Sequence, residues 1–209
     1  HLGETIKGYR EVQFEFGHIT RFLMERKADL KKLFAHAVRK RVLVHTHQGM
    51  PEVGKDVVEL LKAVPGLEIV HEVEEPAYMC GASGSERAPE LKAQGRARTL
   101  ELAKTAEVDV VVSLYHACHR QLKAAGLQHE FEVVNFTEIL VRALGEEPYE
   151  DTFERFLGRN DWRQVVKESE ALMAANGIDM DPERLAEVLP EIVAATEWKG
   201  GLCSFAPSA

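Results

Sequence analysis

The chain has 209 residues, of which 45% are hydrophobic and 29% are charged, and its formal net charge is −8. That length is enough for one globular domain with an ordinary hydrophobic core and a short appendage. The negative charge argues against nucleic-acid binding, because no basic face is available to displace counterions from phosphates. No apolar run of the sequence approaches the roughly 20 residues of a membrane span.

A weak internal repeat opens the chain. The segment 1–23 reads helix, short strand, helix, and the segment 119–140 shows the same order with similar residues. The later copy follows Tyr115-His116-Ala117-Cys118, whereas the earlier copy starts at His1, so we expect a further copy upstream. The predicted units are the tail end of an upstream lobe (1–27), an α/β lobe (28–147) and a helical extension with a tail (148–209).

Strands and helices alternate after the first copy. Short runs rich in β-branched residues are typical of parallel strands buried on both faces, and such runs occur at 41–46, 67–71, 108–114 and 131–134. The sequence predicts helices at 51–64, 88–107, 117–125 and 136–144, then two amphipathic helices at 161–175 and 181–197. The predicted fold class is α/β, a doubly wound, mostly parallel sheet of one Rossmann-like lobe with a C-terminal helical extension.

Two cysteines follow predicted strands. Cys80 stands in the glycine-rich turn Met79-Cys80-Gly81-Ala82-Ser83-Gly84, and Cys118 stands in the turn Tyr115-His116-Ala117-Cys118-His119 after the strand 108–114. Open α/β sheets bind ligands beyond the carboxyl ends of their strands, so we expect the two thiols to meet there. The pairing predicts a cluster or a metal ion held between two strand ends.

Histidines surround the same strand ends. His45 and His47 follow the first strand, while His116 and His119 flank Cys118. Cysteine and histidine together suit zinc, iron or copper. The plainer interpretation is that histidines at strand ends cap backbone carbonyls and that a buried cysteine is a small hydrophobe. The predicted metal ligands are Cys80, Cys118, His45, His47 and His116.

The chain resembles the cysteine-rich CCG domain of iron–sulfur oxidoreductases, found in heterodisulfide reductases and in the iron–sulfur component of glycolate oxidase. The resemblance covers about residues 1–145, and the chain looks like the second of two tandem lobes. It implies an iron–sulfur cluster bound near Cys80, Gly81, Tyr115 and Cys118. The features in family order are a strand ending at His45, a helix after Pro51, the Cys80 turn, Arg96 in the next helix, the strand 108–114 and the Cys118 turn.

Three ligand positions of the family pattern hold other residues. The family has a cysteine after the first strand, a Cys-Cys-Gly turn and a final Cys-x-x-Cys. Here Gln48 or its neighbour His47, then Met79 and then Tyr115 replace three of those cysteines. The two that remain, Cys80 and Cys118, are fewer than the four ligands of an ordinary cubane cluster.

The resemblance implies a subunit of a heterodisulfide-reductase-like complex that moves electrons to or from a small disulfide or quinone acceptor. Its partners would be other subunits of that complex, with a flavin or ferredoxin-type electron donor. One alternative is a cofactor-free lobe that docks subunits around a cluster held by an upstream lobe. Another is a mononuclear zinc or iron site made from the remaining cysteines and histidines.

The three cysteines lie far apart in the sequence. Such spacing does not form a disulfide framework and favours free thiols in a reducing compartment. We therefore expect a cytoplasmic protein that reaches a membrane only through its partners.

Overall fold

The computed structural model describes residues 17–46, 51–72, 89–127, 129–149, 159 and 161–196. Four parallel strands form one sheet in the order β2-β1-β3-β4. Because all four strands run in the same direction, their carboxyl ends lie at a single edge of the sheet. The strands are β1 (Arg41–His45), β2 (Glu68–Glu72), β3 (Val110–Ser113) and β4 (Glu132–Asn135).

Helices connect the strands and continue after the last one. The predicted α/β fold with a C-terminal helical region is confirmed, and the predicted elements from β1 onward are found with ends shifted by a few residues. No helix of the described ranges combines the length and the apolar character needed to cross a membrane. The helices described are α1 (Ile19–Glu25), α2 (Lys27–Leu33), α3 (Pro51–Leu61), α4 (Pro89–Thr105), α5 (His116–Gly126), α6 (Phe136–Leu144), α7 (Trp162–Ala175) and α8 (Pro182–Thr196).

One face of the sheet, the α3/α6 face, is covered mainly by α3 and α6, with partly buried residues of α1 and α2 packed at its margin. Alternate residues of a strand project to the same face, and on this face the buried ones are all valines, while the partly buried Ile69 of β2 packs beside them. They pack against apolar side chains such as Leu61 and Ile139 to form the larger hydrophobic core. The strand residues of this core are Val42, Val44, Val110, Val112 and Val134.

The opposite face, the α4/α5 face, is covered by α4 and α5. Leu43, Val111 and Val133 project from the strands and pack against Leu100, Ala103, Leu122 and Cys118. The end of α5 lies very close to β4, since a Cβ atom on Gly126 would be 2.7 Å from Val133 Cγ2. This close contact fixes α5, and with it Cys118, over the carboxyl half of the sheet.

Short connections hold the helices at the carboxyl edge. Two residues separate the end of β3 from the start of α5, and α6 begins directly after β4. Asn135 caps α6 in a capping box with Glu138, and its Nδ2 donates to Leu114 O at 3.2 Å. Hydrogen bonds of Asn135 therefore connect the end of β4 and the start of α6 to the residues between β3 and α5.

Some predictions concern parts of the chain outside the described residues. These are the strand of the first repeat, the turn that contains Cys80 and Gly81, and the segment with His47 and Gln48. The three domain boundaries and the upstream repeat also stay predictions.

Candidate functional site

Cys118 lies at the predicted place, in the first turn of α5 just beyond the carboxyl end of β3. Its side chain is 1% exposed and packs in the core of the α4/α5 face. A thiol at this position is shielded from water and stands at a helix N-terminus, where backbone N–H groups favour negative charge. The location suits a thiolate ligand, although a buried cysteine is also an ordinary core residue.

His45 ends β1, and its Cα is paired with that of Ser113 on β3. Because Leu43 packs on the α4/α5 face, alternation places His45 on that face as well. The imidazole is 1% exposed, and among the described residues neither Nδ1 nor Nε2 has a hydrogen-bond partner. A buried polar group left unpaired costs about 1–3 kcal/mol. A hydrogen-bond partner or a ligand at this ring would remove that cost.

Ser113 and His119 form a buried hydrogen-bonded pair next to His45. Ser113 Oγ donates to Val134 O at 3.1 Å and lies 3.2 Å from His119 Nδ1. Because the hydroxyl has one proton and uses it on Val134 O, His119 Nδ1–H is the donor to Ser113 Oγ. A neutral His119 therefore carries its lone pair on Nε2, the arrangement found in histidines whose other nitrogen binds a metal.

Tyr115 joins the two faces of the sheet at this edge. Its ring packs against both hydrophobic cores and meets the His18 ring edge-on at 5.8 Å between centroids. Burial raises the pKa of the Tyr115 phenol, and the nearby Cys118 and Glu52 raise it further. The phenol therefore stays protonated at neutral pH, which makes it a hydrogen-bond donor and a poor metal ligand.

Gln121 faces α4 one turn after Cys118. Its side chain is 2% exposed, and its Oε1 accepts a hydrogen bond from Arg96 Nη1 at 3.3 Å. Within the described ranges Gln121 Nε2 has no acceptor. The α4/α5 face thus contains a second buried polar group without a full set of partners.

The structure brings together part of the predicted site. Cys118, His45 and Tyr115 lie at the carboxyl edge, whereas the side chain of His116 is exposed at the start of α5. Cys80, Gly81 and His47 lie outside the described residues. In the part of the chain that is described, no three histidine, cysteine, aspartate or glutamate side chains gather closely enough to hold a metal ion.

Sequence reasoning did not select Ser113 or Gln121. Ser113 is the single hydroxyl in the run from Val108 to Leu114, and a polar residue at the end of a buried strand is a usable signal. Gln121 follows Cys118 by three residues, and this spacing puts both on one side of a helix. The contact between Arg96 and Gln121 joins residues 25 positions apart, so no local pattern reveals it.

A thiophilic metal or an iron–sulfur cluster fits this edge by the chemistry of its donors. Cys118 offers a buried sulfur, and the unpaired nitrogens of His45 offer an imidazole ligand or a hydrogen-bond donor. Iron–sulfur centres accept both thiolate and imidazole ligands. The described residues therefore suit one side of such a group.

Comparison of the chain with protein-family models, with curated proteins and with solved structures gives no match. The resemblance to the CCG domain stays a prediction from the residues of the chain.

Proposed function

We propose that this chain is a subunit of an iron–sulfur oxidoreductase complex and that a cluster binds at the carboxyl edge of its sheet. In this role it passes electrons between a flavin or ferredoxin-type partner and a small disulfide or quinone acceptor. The proposal follows the resemblance to the CCG domain. It places the complex in the cytoplasm, with contact to a membrane only through other subunits.

The observation that carries the proposal is a buried imidazole without a hydrogen-bond partner among the described residues, on the sheet face that also buries a thiol. Cys118 and His45 are each 1% exposed and lie on the same face, His45 at the end of β1 and Cys118 in the helix that follows the adjacent β3. A core that needed only hydrophobic contacts would gain stability from an apolar residue in place of His45. Retention of a buried imidazole that has no partner among the described residues favours a role in binding.

An iron–sulfur cluster supplies one-electron storage, and the chain supplies its surroundings. Cys118 holds iron as thiolate, as does Cys80 in the family pattern, and His45 contributes a nitrogen ligand or donor. The apolar contacts of Leu43, Leu100 and Leu122 exclude water from this side. Exclusion of water lowers the local dielectric constant and makes the potential sensitive to each nearby hydrogen bond.

The test is metal analysis of the chain purified without oxygen and then reconstituted with ferrous iron and sulfide. We expect iron, acid-labile sulfide and an electron paramagnetic resonance signal after reduction. Cys80→Ser and Cys118→Ser should lose most of the bound iron, because a hydroxyl is a poor ligand for soft metals. Cys203→Ser is the matched control and should keep the content of the wild-type chain.

Two outcomes would contradict the proposal. One is a wild-type chain that takes up neither iron nor sulfide under these conditions. The other is equal iron and sulfide in the wild type, Cys80→Ser and Cys118→Ser, since the metal would then be bound elsewhere.

The imidazole of His45, which has no hydrogen-bond partner in the described part of the chain, also favours a second candidate, a mononuclear zinc or iron site formed with Cys118. This candidate predicts about one zinc ion per chain without acid-labile sulfide. His45→Gln should weaken binding of Co²⁺ and reduce its visible absorption, whereas His116→Gln, a change at an exposed ring, should leave both unchanged. Sulfide in stoichiometric amount with the metal would exclude this candidate.

A further inference from the structure

The orientation of the Gln121 amide is fixed by its neighbour. Arg96 has only donors, so the atom of the amide that faces Arg96 Nη1 at 3.3 Å must be the oxygen. The NH₂ group is therefore directed away from Arg96. This assignment follows from the chemistry of the guanidinium group and does not depend on the choice between two amide rotamers.

The Gln121 NH₂ group is buried and has no acceptor among the described residues. Cys118 lies one turn earlier on the same helix, and residues three apart are neighbours on a helix surface. His45, whose two ring nitrogens have no hydrogen-bond partner among the described residues, also lies on the α4/α5 face. Among the described residues, a helix side chain and a strand side chain therefore each carry nitrogen without a partner on the sheet face whose core contains Cys118.

We propose that Gln121 donates an N–H···S hydrogen bond to a sulfur atom of the group that binds at Cys118, and that Arg96 is the positioning residue that orients the amide. This inference rests on the proposed function. Sulfur is the acceptor because Cys118 holds its metal through a thiolate, and inorganic sulfide accompanies iron in a cluster. Such hydrogen bonds are among the factors that set the potential of an iron–sulfur centre.

The direction of the effect follows from charge. Reduction adds negative charge to the cluster and its sulfur atoms, so an N–H donor stabilises the reduced state more than the oxidised state. Loss of the donor should shift the midpoint potential to a more negative value. If Gln121 only stabilised the fold, its replacement would leave the midpoint potential unchanged.

The experiment measures the midpoint potential of the reconstituted chain and the thermal stability of the metal-free chain. Gln121→Glu keeps an acceptor for Arg96 and removes both N–H donors, so we expect full cluster content and a more negative potential. Gln121→Leu should give a more negative potential too, with metal-free stability equal to or above that of the wild type, because an unpaired buried donor is removed. Arg96→Ala should give a smaller shift in the same direction, because the amide is no longer held.

Matched controls lie on the same helix as Arg96. Gln94→Leu and Arg98→Ala change exposed side chains of α4 and should leave the potential unchanged. A loaded wild type with the same potential in Gln121→Glu and Gln121→Leu would overturn the inference and leave the proposed function standing. A wild type that binds no metal would overturn the proposed function and the inference with it.

Discussion

The two faces of the sheet differ although they share the same four strands. On the α3/α6 face, the strand residues in the core are all valines, and Val112 is the last of them on β3. On the α4/α5 face, Leu43 and Val111 are followed at the carboxyl end by His45 and Ser113. The buried strand residues of the α3/α6 face are all apolar, whereas the α4/α5 face becomes polar at the edge where ligand sites of open sheets lie.

The contrast between the two faces distinguishes residues whose burial stabilises the fold from residues whose burial does not. Apolar burial on the α3/α6 face contributes directly to the free energy of unfolding. On the α4/α5 face, His45 and Gln121 have buried polar atoms without a partner among the described residues, and burial of such atoms costs free energy. Proteins keep such groups where binding or chemistry needs them, so each face gives a different expectation for mutation.

The largest effect is expected on the α3/α6 face, for Ile139→Ala. Ile139 is fully buried between α6 and the sheet, and its truncation removes apolar contacts and leaves a cavity. We expect the free energy of unfolding to fall by about 2–5 kcal/mol, measured by urea denaturation. The control is Leu172→Ala on α7, where the side chain is 64% exposed and the change should stay within about 0.5 kcal/mol. Equal losses for the two variants would disprove the role given to this core.

A smaller loss is expected for Gly145→Ala, at the end of α6. Gly145 has φ +86°, and a Cβ atom there would lie 2.5 Å from His36 Cδ2. Because L-residues rarely adopt positive φ, the variant should lose about 1–3 kcal/mol of stability.

Gly177→Ala separates the cost of the positive φ from the cost of the close approach to His36. Gly177 also has positive φ, +65°, but a Cβ atom there would have no neighbour within 4 Å. Its cost should reflect the backbone alone, about 1–2 kcal/mol. A smaller loss for Gly145→Ala than for Gly177→Ala, by thermal unfolding, would show that the His36 ring moves away from the added Cβ atom without cost.

Sequence patterns predicted the sheet because the strands are marked by local composition. The β-branched run predicted a strand over 108–114, and β3 spans Val110–Ser113. The strand begins at Val110, later than predicted, and just before it Asp109 bonds to the distant Arg41 through its backbone N–H and its carboxylate. Helix starts were also readable, since Asp181 Oδ1 accepts from Glu183 N and Arg184 N at the start of α8.

The site could be predicted from the sequence only where the type and position of a single residue indicate its chemistry. Cys118 at a strand end was identified from its position, and His45 from the end of β1. Whether the nitrogens of His45 are paired depends on what α4 and α5 place near them, and that is a tertiary property. The pairing of Ser113 with His119 likewise depends on β4, whose Val134 O takes the hydroxyl proton.

His45→Leu tests the α4/α5 face. It should raise the free energy of unfolding, whereas the core variants lower it. It replaces a buried ring, whose nitrogens have no partner within the described ranges, by an apolar side chain, so the metal-free chain should gain about 1–3 kcal/mol. Ser113→Ala, across the ladder, should lose about 1–3 kcal/mol, because His119 Nδ1–H and Val134 O lose their partner. A loss of stability in His45→Leu as large as that in Ser113→Ala would show that the imidazole is a structural group.

The smallest effect is expected from the charges at the amino end of β4, at the rim of the α3/α6 face. Burial acts to raise the pKa of Glu132, but its hydrogen bonds and ion pairs with Arg142 and Lys40 outweigh burial and hold that pKa below its usual value. A depressed carboxylate pKa contributes stability above the unfolded pKa, about 4.3, and the contribution disappears as pH falls through the folded value. Because the Glu132 side chain is 44% exposed, Glu132→Gln should cost only about 0.2–1 kcal/mol at pH 7.

Urea denaturation from pH 7 to pH 3 should show the wild type and Glu132→Gln converging in acid, and Glu146→Gln, at an exposed carboxylate, should follow the wild type throughout. A difference between wild type and Glu132→Gln that persists undiminished at pH 3 would mean that the side chain acts by packing and not by its charge.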